Sequence, residues 1–166
     1  MAVKNGLISE LKHESANTRK MLERIPADKY TWKPHPKSTE LLKLAAHLAN
    51  NPVWIRRITD AKEFDFSKMP PAAAPAYKNA DDVLALFDKN IADAIKALEG
   101  TTDEALTEHY TLRNGEKVLF TMPRVAVIRS FALSHSIHHR GQLSVYLRLL
   151  DIPVPGMYGP SADDVR

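Results

Sequence analysis

The stretch His135-Ser136-Ile137-His138-His139-Arg140-Gly141-Gln142-Leu143-Ser144-Val145-Tyr146-Leu147 belongs to a longer run whose periodicity decides the fold. Val125, Ile128, Phe131 and Ala132 before it, then Leu143, Tyr146, Leu147 and Leu150, recur every three or four residues, the period of one helix face. Pro123 opens this predicted fourth helix and Asp151-Ile152-Pro153 closes it. At about 100° per residue, His135 and His139 lie about 40° apart, one turn from each other, as two ligands of one ion require. His138 falls on the flank, nearer Ser134 and Gly141. The pair shares its stripe with Ile128, Phe131, Ala132, Leu143 and Tyr146, which predicts two inward imidazoles. Two neutral imidazoles side by side need two sets of partners, and protonating either buries charge. Spacing therefore favours a metal while leaving hydrogen-bonded core histidines open.

Working outward, Tyr110 to Phe120 carries Asn114-Gly115 between two alternating runs, a hairpin signal, and predicts a two-stranded ribbon over about 108–122. Helix three is predicted from a cap at Asn79, through Val83, Phe87, Ile91, Ala94 and Leu98, to Gly100. Residues 64–78 are rich in Pro and Ala and read as the longest loop. Helix two is predicted from a Ser38 or Thr39 cap, with Glu40 in its first turn and a bend or division at Pro52. Helix one is predicted over about 4–24 and ends at Pro26. The expectation is an all-α chain: one domain over 1–166, a four-helix bundle with a small β-hairpin inserted before the last helix. A third ligand must come from another helix. His47, beside the Leu44/Leu48 stripe, is the candidate, whereas His13 and His35 read as solvated and His109 belongs to the ribbon.

Composition narrows the chemistry. The 166 residues are 44% hydrophobic, enough for one ordinary domain. Cysteine is absent, which excludes disulfides, thiolate zinc sites, iron–sulfur clusters and a cysteine nucleophile. Any metal site must use His, Asp or Glu. No apolar leader and no run near 18 apolar residues is visible, so a cytoplasmic protein without membrane partners is expected. Lys and Arg number 23 against 20 Asp and Glu, and they are scattered rather than gathered into a stripe, which argues against nucleic-acid binding.

Residues 135–143, continuing through Tyr146-Leu147-Arg148 to Ile152-Pro153-Val154-Pro155 and Tyr158-Gly159-Pro160-Ser161-Ala162-Asp163, resemble the C-terminal helix and tail of the DinB/YfiT-like metalloenzyme family. Ala46-His47-Leu48-Ala49, following Trp32-Lys33-Pro34, resembles that family's second-helix motif. The resemblance implies a helix bundle holding a divalent metal through His47, His135 and His139. It also implies a thiol-dependent S-transferase or isomerase acting on small electrophiles, as in relatives that use mycothiol or bacillithiol. A metal-dependent hydrolase and a non-catalytic metal- or ligand-binding stress protein are the alternatives. Three imidazoles leave an ion an open position, with zinc the first choice and nickel, iron or manganese able to use the same ligands. A low-molecular-weight thiol cosubstrate is expected. Gln142 is the expected orienting partner of a ligand, and Arg140 is expected to tie the last helix to a carboxylate. Trp54, Tyr158, Ser161 and Asp163 are candidates for the mouth of the site. A homodimer is expected both from the resemblance and from surplus apolar surface on helix three and the loop after Phe64.

Overall fold

A computed structural model describes residues 2–71, 75 and 77–164. Residues 72–74 and 76 of the Pro/Ala loop lie outside the described residues. Helix α1 (Val3–Leu22) begins with its Val3 and Lys4 N–H groups donating to the Asp103 carboxylate at 2.9 and 2.8 Å. That long-range carboxylate supplies the anion a helix N-terminus favours. Helix two of the sequence reading is two helices, α2 (Leu41–Asn50) and α3 (Val53–Asp60), divided at Asn51-Pro52. The expected Ser38 or Thr39 cap is incorrect: Glu40 holds that position and makes no side-chain cap bond. Instead, the Leu41 and Leu42 N–H groups donate to the carbonyls of Trp32 and Tyr30, at 2.9 and 3.0 Å. The irregular connection folds back and satisfies the orphan donors itself.

Strand β1 (Glu63–Asp65) lies in the stretch read as loop. It pairs in parallel with β2 (His109–Asn114), placing Phe64 opposite Leu112, and β2 pairs antiparallel with β3 (Lys117–Pro123). The sheet thus has three strands rather than the expected two, in the order β1-β2-β3. Asp65 holds the third strand in place, its carboxylate accepting from Ser67 N–H at 3.0 Å and from Gly115 N–H, in the hairpin turn, at 2.8 Å. Gly115 takes φ 59°, the left-handed conformation this turn needs.

Helix α4 (Ala80–Gly100) starts as the sequence predicts, with Asn79 Oδ1 accepting from Asp82 N–H at 2.8 Å. A short α5 (Asp103–Thr107) follows. The expected unbroken last helix is instead α6 (Arg124–Ile128), a π-helical turn (Arg129–Ser134) and α7 (His135–Leu149). Ser130 explains part of the interruption: its hydroxyl donates to the Ala126 and Val127 carbonyls at 3.0 and 3.2 Å, competing with the backbone ladder. Asp151, at φ 56°, ends α7.

The core has two parts. One gathers Met21, Leu41, Leu48, Val83, Leu143 and Leu147; the other, against the sheet, gathers Ile55, Leu98, Leu106, Tyr110, Ile128 and Leu133. Helix α4 runs through both, with Val83 and Phe87 in the first and Ala94 and Leu98 in the second. Each buried Leu or Ile contributes about 1.5–3 kcal/mol by area removed from water. Because one stripe of α4 is buried along its whole length and none of its large apolar side chains is exposed, the surplus apolar surface expected there is absent; the large exposed apolar side chains among the described residues include Val145 and Leu149 on α7.

Candidate metal centre

α2 carries His47 and α7 carries His135 and His139, and the packing of α2 against α7 brings the three rings together. His47 Nε2 lies 3.2 Å from His135 Nε2, and His135 Nε2 lies 2.7 Å from His139 Nε2. The three candidate ligand atoms fall within 4.8 Å of one another. Nitrogens bound to one ion at about 2.0–2.1 Å stand about 3–3.4 Å apart, so the cluster has the dimensions of a coordination sphere. His138 is exposed and only stacks edge-on against His139, with ring centroids 5.0 Å apart.

Proton placement sharpens the case. Gln142 Oε1 lies 2.7 Å from His139 Nδ1, which puts the His139 proton on Nδ1 and leaves Nε2 a bare lone pair. That lone pair faces His135 Nε2 across 2.7 Å, where it accepts from a His135 Nε2–H or, with His135 as the other tautomer, shares a cation with it. All three imidazoles are held below the ordinary histidine range. Burial is the main cause for each; the other histidines' charges add to it at His135, with His139 acting on His47 and His138 on His139, while the Gln142 bond works against it at His139. Neutral imidazole is the form that binds metal. The donor set fits a divalent ion.

The site is more open than two inward imidazoles suggest. His47 is exposed and His135 and His139 are half-buried, because the triad caps one end of the packed layer rather than sitting within it. Beside it a cavity of about 520 Å³ is lined by His47, His139 and Gln142, by Lys37, Ser38 and Thr39, and by Leu44 and Tyr146.

The tail does not form this mouth. Tyr158 hydrogen-bonds to the Glu14 carboxylate at 2.8 Å and accepts from Arg140, and Asp163 pairs with Arg148. Ser161 Oγ accepts from the Asp163 N–H at 3.0 Å, a local turn bond. Arg140, buried, binds Glu14 at 2.6 Å, the carboxylate link expected of it. Trp54 sits instead in an aromatic cluster with Phe64, Phe66 and Phe131, capped by the Arg57 guanidinium 5.0 Å from the Trp54 ring centroid. Sequence reasoning missed Lys37 and the π turn. Lys37 carried a faint signal, as the last of three lysines in the Pro-rich connection ahead of the His47 helix.

A crystal structure of a DinB-like protein from Bacillus cereus is similar in fold, with a TM-score of 0.70 at 25% identity, over 93% of this chain and 97% of that one. A second, a DinB-like protein from Bacillus subtilis, gives a TM-score of 0.68 at 20% identity, over 89% and 95%. A short stretch of 34 residues is 44% identical to the uncharacterized protein YrdA of Bacillus subtilis (strain 168), spanning 20% of each chain. The DinB family model matches residues 1–166. Full-length agreement with that model, together with two DinB-like folds, assigns the chain to the DinB family.

Proposed function

We propose that the protein is a metal-dependent enzyme whose divalent ion, zinc by ligand type, is held by His47, His135 and His139, and that it transfers a low-molecular-weight thiol to a small electrophile. The observation that carries this reading is the convergence of three Nε2 atoms beside a solvent-reached cavity, with the His139 proton fixed on the far nitrogen. An ion bound there supplies a Lewis acid that lowers the pKa of a thiol it meets. Gln142 keeps the His139 ring oriented. Leu44 and Tyr146 wall the cavity and limit water around a reacting sulfur. The sulfur comes from a cosubstrate, because the chain has no cysteine. In the reaction a sulfur–carbon bond forms, the carbon–leaving-group bond breaks, and the thiol proton departs with the leaving group.

The reading includes a homodimer, for which Val145 and Leu149, 55% and 58% exposed one turn apart on α7, offer an apolar face. The test of function is metal content of the purified protein, followed by a panel of thiols against an aryl halide. Thiol consumption in the metal-loaded protein, and its loss in His135→Ala, is expected. No turnover with any thiol in a fully metal-loaded sample overturns the transferase assignment.

A further inference from the structure

The cavity beside the triad has a polarity that metal binding does not explain. Its lining joins His47, His139 and Gln142 to Lys37, Ser38 and Thr39, and no carboxylate borders the space among the described residues. Lys37 has no ion-pair partner among the described residues, since the nearest acid in sequence, Glu40, is taken by Lys43 at 3.1 Å. The Ser38 and Thr39 hydroxyls likewise make no hydrogen bond among the described residues, while the backbone around them is tied at three points. The Ser38 N–H donates to the His35 carbonyl at 2.8 Å, the Lys37 N–H to His35 Nδ1 at 3.1 Å, and the Tyr146 hydroxyl to the Thr39 carbonyl at 3.1 Å. Trp32 packs edge-on against Tyr146 at 5.7 Å between ring centroids, pinning the connection to α7. A cation and two hydroxyls are therefore held on an anchored backbone at the border of the same cavity as His47 and His139. Such preorganisation lowers the ordering cost of binding.

We propose that Lys37, Ser38 and Thr39 form an anion-recognising subsite that selects substrates bearing a carboxylate or phosphate-like group. This rests on the metal-centre reading above and deepens it by naming the substrate class. A cavity of 520 Å³ is about 10 Å across if compact, within the usual size for a small-molecule site. A thiol at the histidines and an anion at Lys37, within one cavity of this size, thus belong to one short molecule. Lys37 supplies charge, Ser38 and Thr39 supply neutral donors, and the arrangement disfavours cationic ligands.

The test uses the full chain loaded with Co(II), whose thiolate charge-transfer band reports sulfur binding directly. Titrants are 3-mercaptopropanol, 3-mercaptopropionate and 2-mercaptoethylphosphonate, a neutral thiol and two anionic ones of similar reach. The anionic thiols are expected to bind about five- to tenfold tighter than the neutral one, as a charge-assisted contact at a partly exposed site allows. The ratio between carboxylate and phosphonate identifies the preferred anion. Lys37→Ala is expected to abolish the preference while leaving the neutral thiol unchanged, and Lys37→Arg to keep it. Equal affinity of neutral and anionic thiols in the unmodified protein overturns the subsite but leaves the metal–thiol reading standing. If no thiol gives the band, that reading fails, and the subsite is decided by inorganic phosphate alone. Phosphate-induced shifts in the Lys37, Ser38 and Thr39 amide resonances, lost in Lys37→Ala, then support it, and unmoved resonances overturn it.

Discussion

Replacing Gln142 by Ala tests the metal centre without removing a ligand. Gln142 Oε1 sits 2.7 Å from His139 Nδ1 and is the only side chain hydrogen-bonded to that nitrogen among the described residues. Its loss frees the ring to turn and to place its proton on Nε2, the atom needed for the ion. Partners of this kind contribute about 10- to 100-fold in metal affinity. Gln142 is exposed and water can replace part of its role, so the lower end applies: about tenfold weaker zinc binding, or about 1.4 kcal/mol. Through linkage the same 1.4 kcal/mol leaves the metal-derived stability at saturating zinc, which lowers the zinc-induced rise in Tm by about 3–5 °C for a chain of this size. Competition against a chromogenic chelator at pH 7.5 measures the affinity, and melts with and without EDTA measure the stability. His139→Ala and His135→Ala are expected to lose orders of magnitude, and His138→Ala nothing, since His138 is exposed and outside the cluster. Unchanged zinc affinity in Gln142→Ala, or full zinc retention in His135→Ala, refutes the assignment of these roles.

Three further outcomes follow from other parts of the molecule. Glu14→Ala leaves the Arg140 guanidinium buried without its carboxylate and is expected to cost about 3–5 kcal/mol, read as a drop of about 10 °C in Tm; a loss below 1 kcal/mol in chemical denaturation contradicts the pairing. Burial lowers the three ligand histidines, so below about pH 6.5 the unfolded chain binds protons more readily than the native site, and stability present above that pH is lost as it falls. Protons also compete with the ion, so EDTA is expected to shift Tm at pH 7.5 and hardly at pH 5, and equal shifts at both exclude a three-histidine site. Light scattering is expected to give twice the 18.6 kDa of one chain, falling to a single chain in a Val145→Glu, Leu149→Glu variant; a monomer before mutation refutes the dimer.

Local periodicity carried the helices and much of the site. The stripes of α1, α4 and α7, the Asn79 cap and the Asn114-Gly115 turn are set by neighbours within four residues, and the i, i+4 relation of His135 to His139 is a property of one helix. His47 needed the additional fact of a second helix with an inward stripe. What escaped was set at long range. Nothing near Val3 indicates that Asp103 will cap α1, and nothing near Phe64 indicates that Asp65 will anchor a strand to the hairpin turn. The depth of the triad also depends on where α2 ends against α7, which no helical wheel contains.

The π turn is the long-range feature with the most bearing on the candidate site. A wheel at 100° per residue treats α6 through α7 as one helix, in which the His135 N–H would bond to the Phe131 carbonyl four residues back. Here that N–H goes to Ala132 instead. Because a π turn holds more residues than an α turn, it rotates everything after it relative to Val125 and Ile128, so the phase of His135 and His139 is set locally rather than inherited from α6. Single π turns recur at functional sites, and in this chain the irregularity sits immediately before the histidine pair, whose approach to His47 depends on that phase.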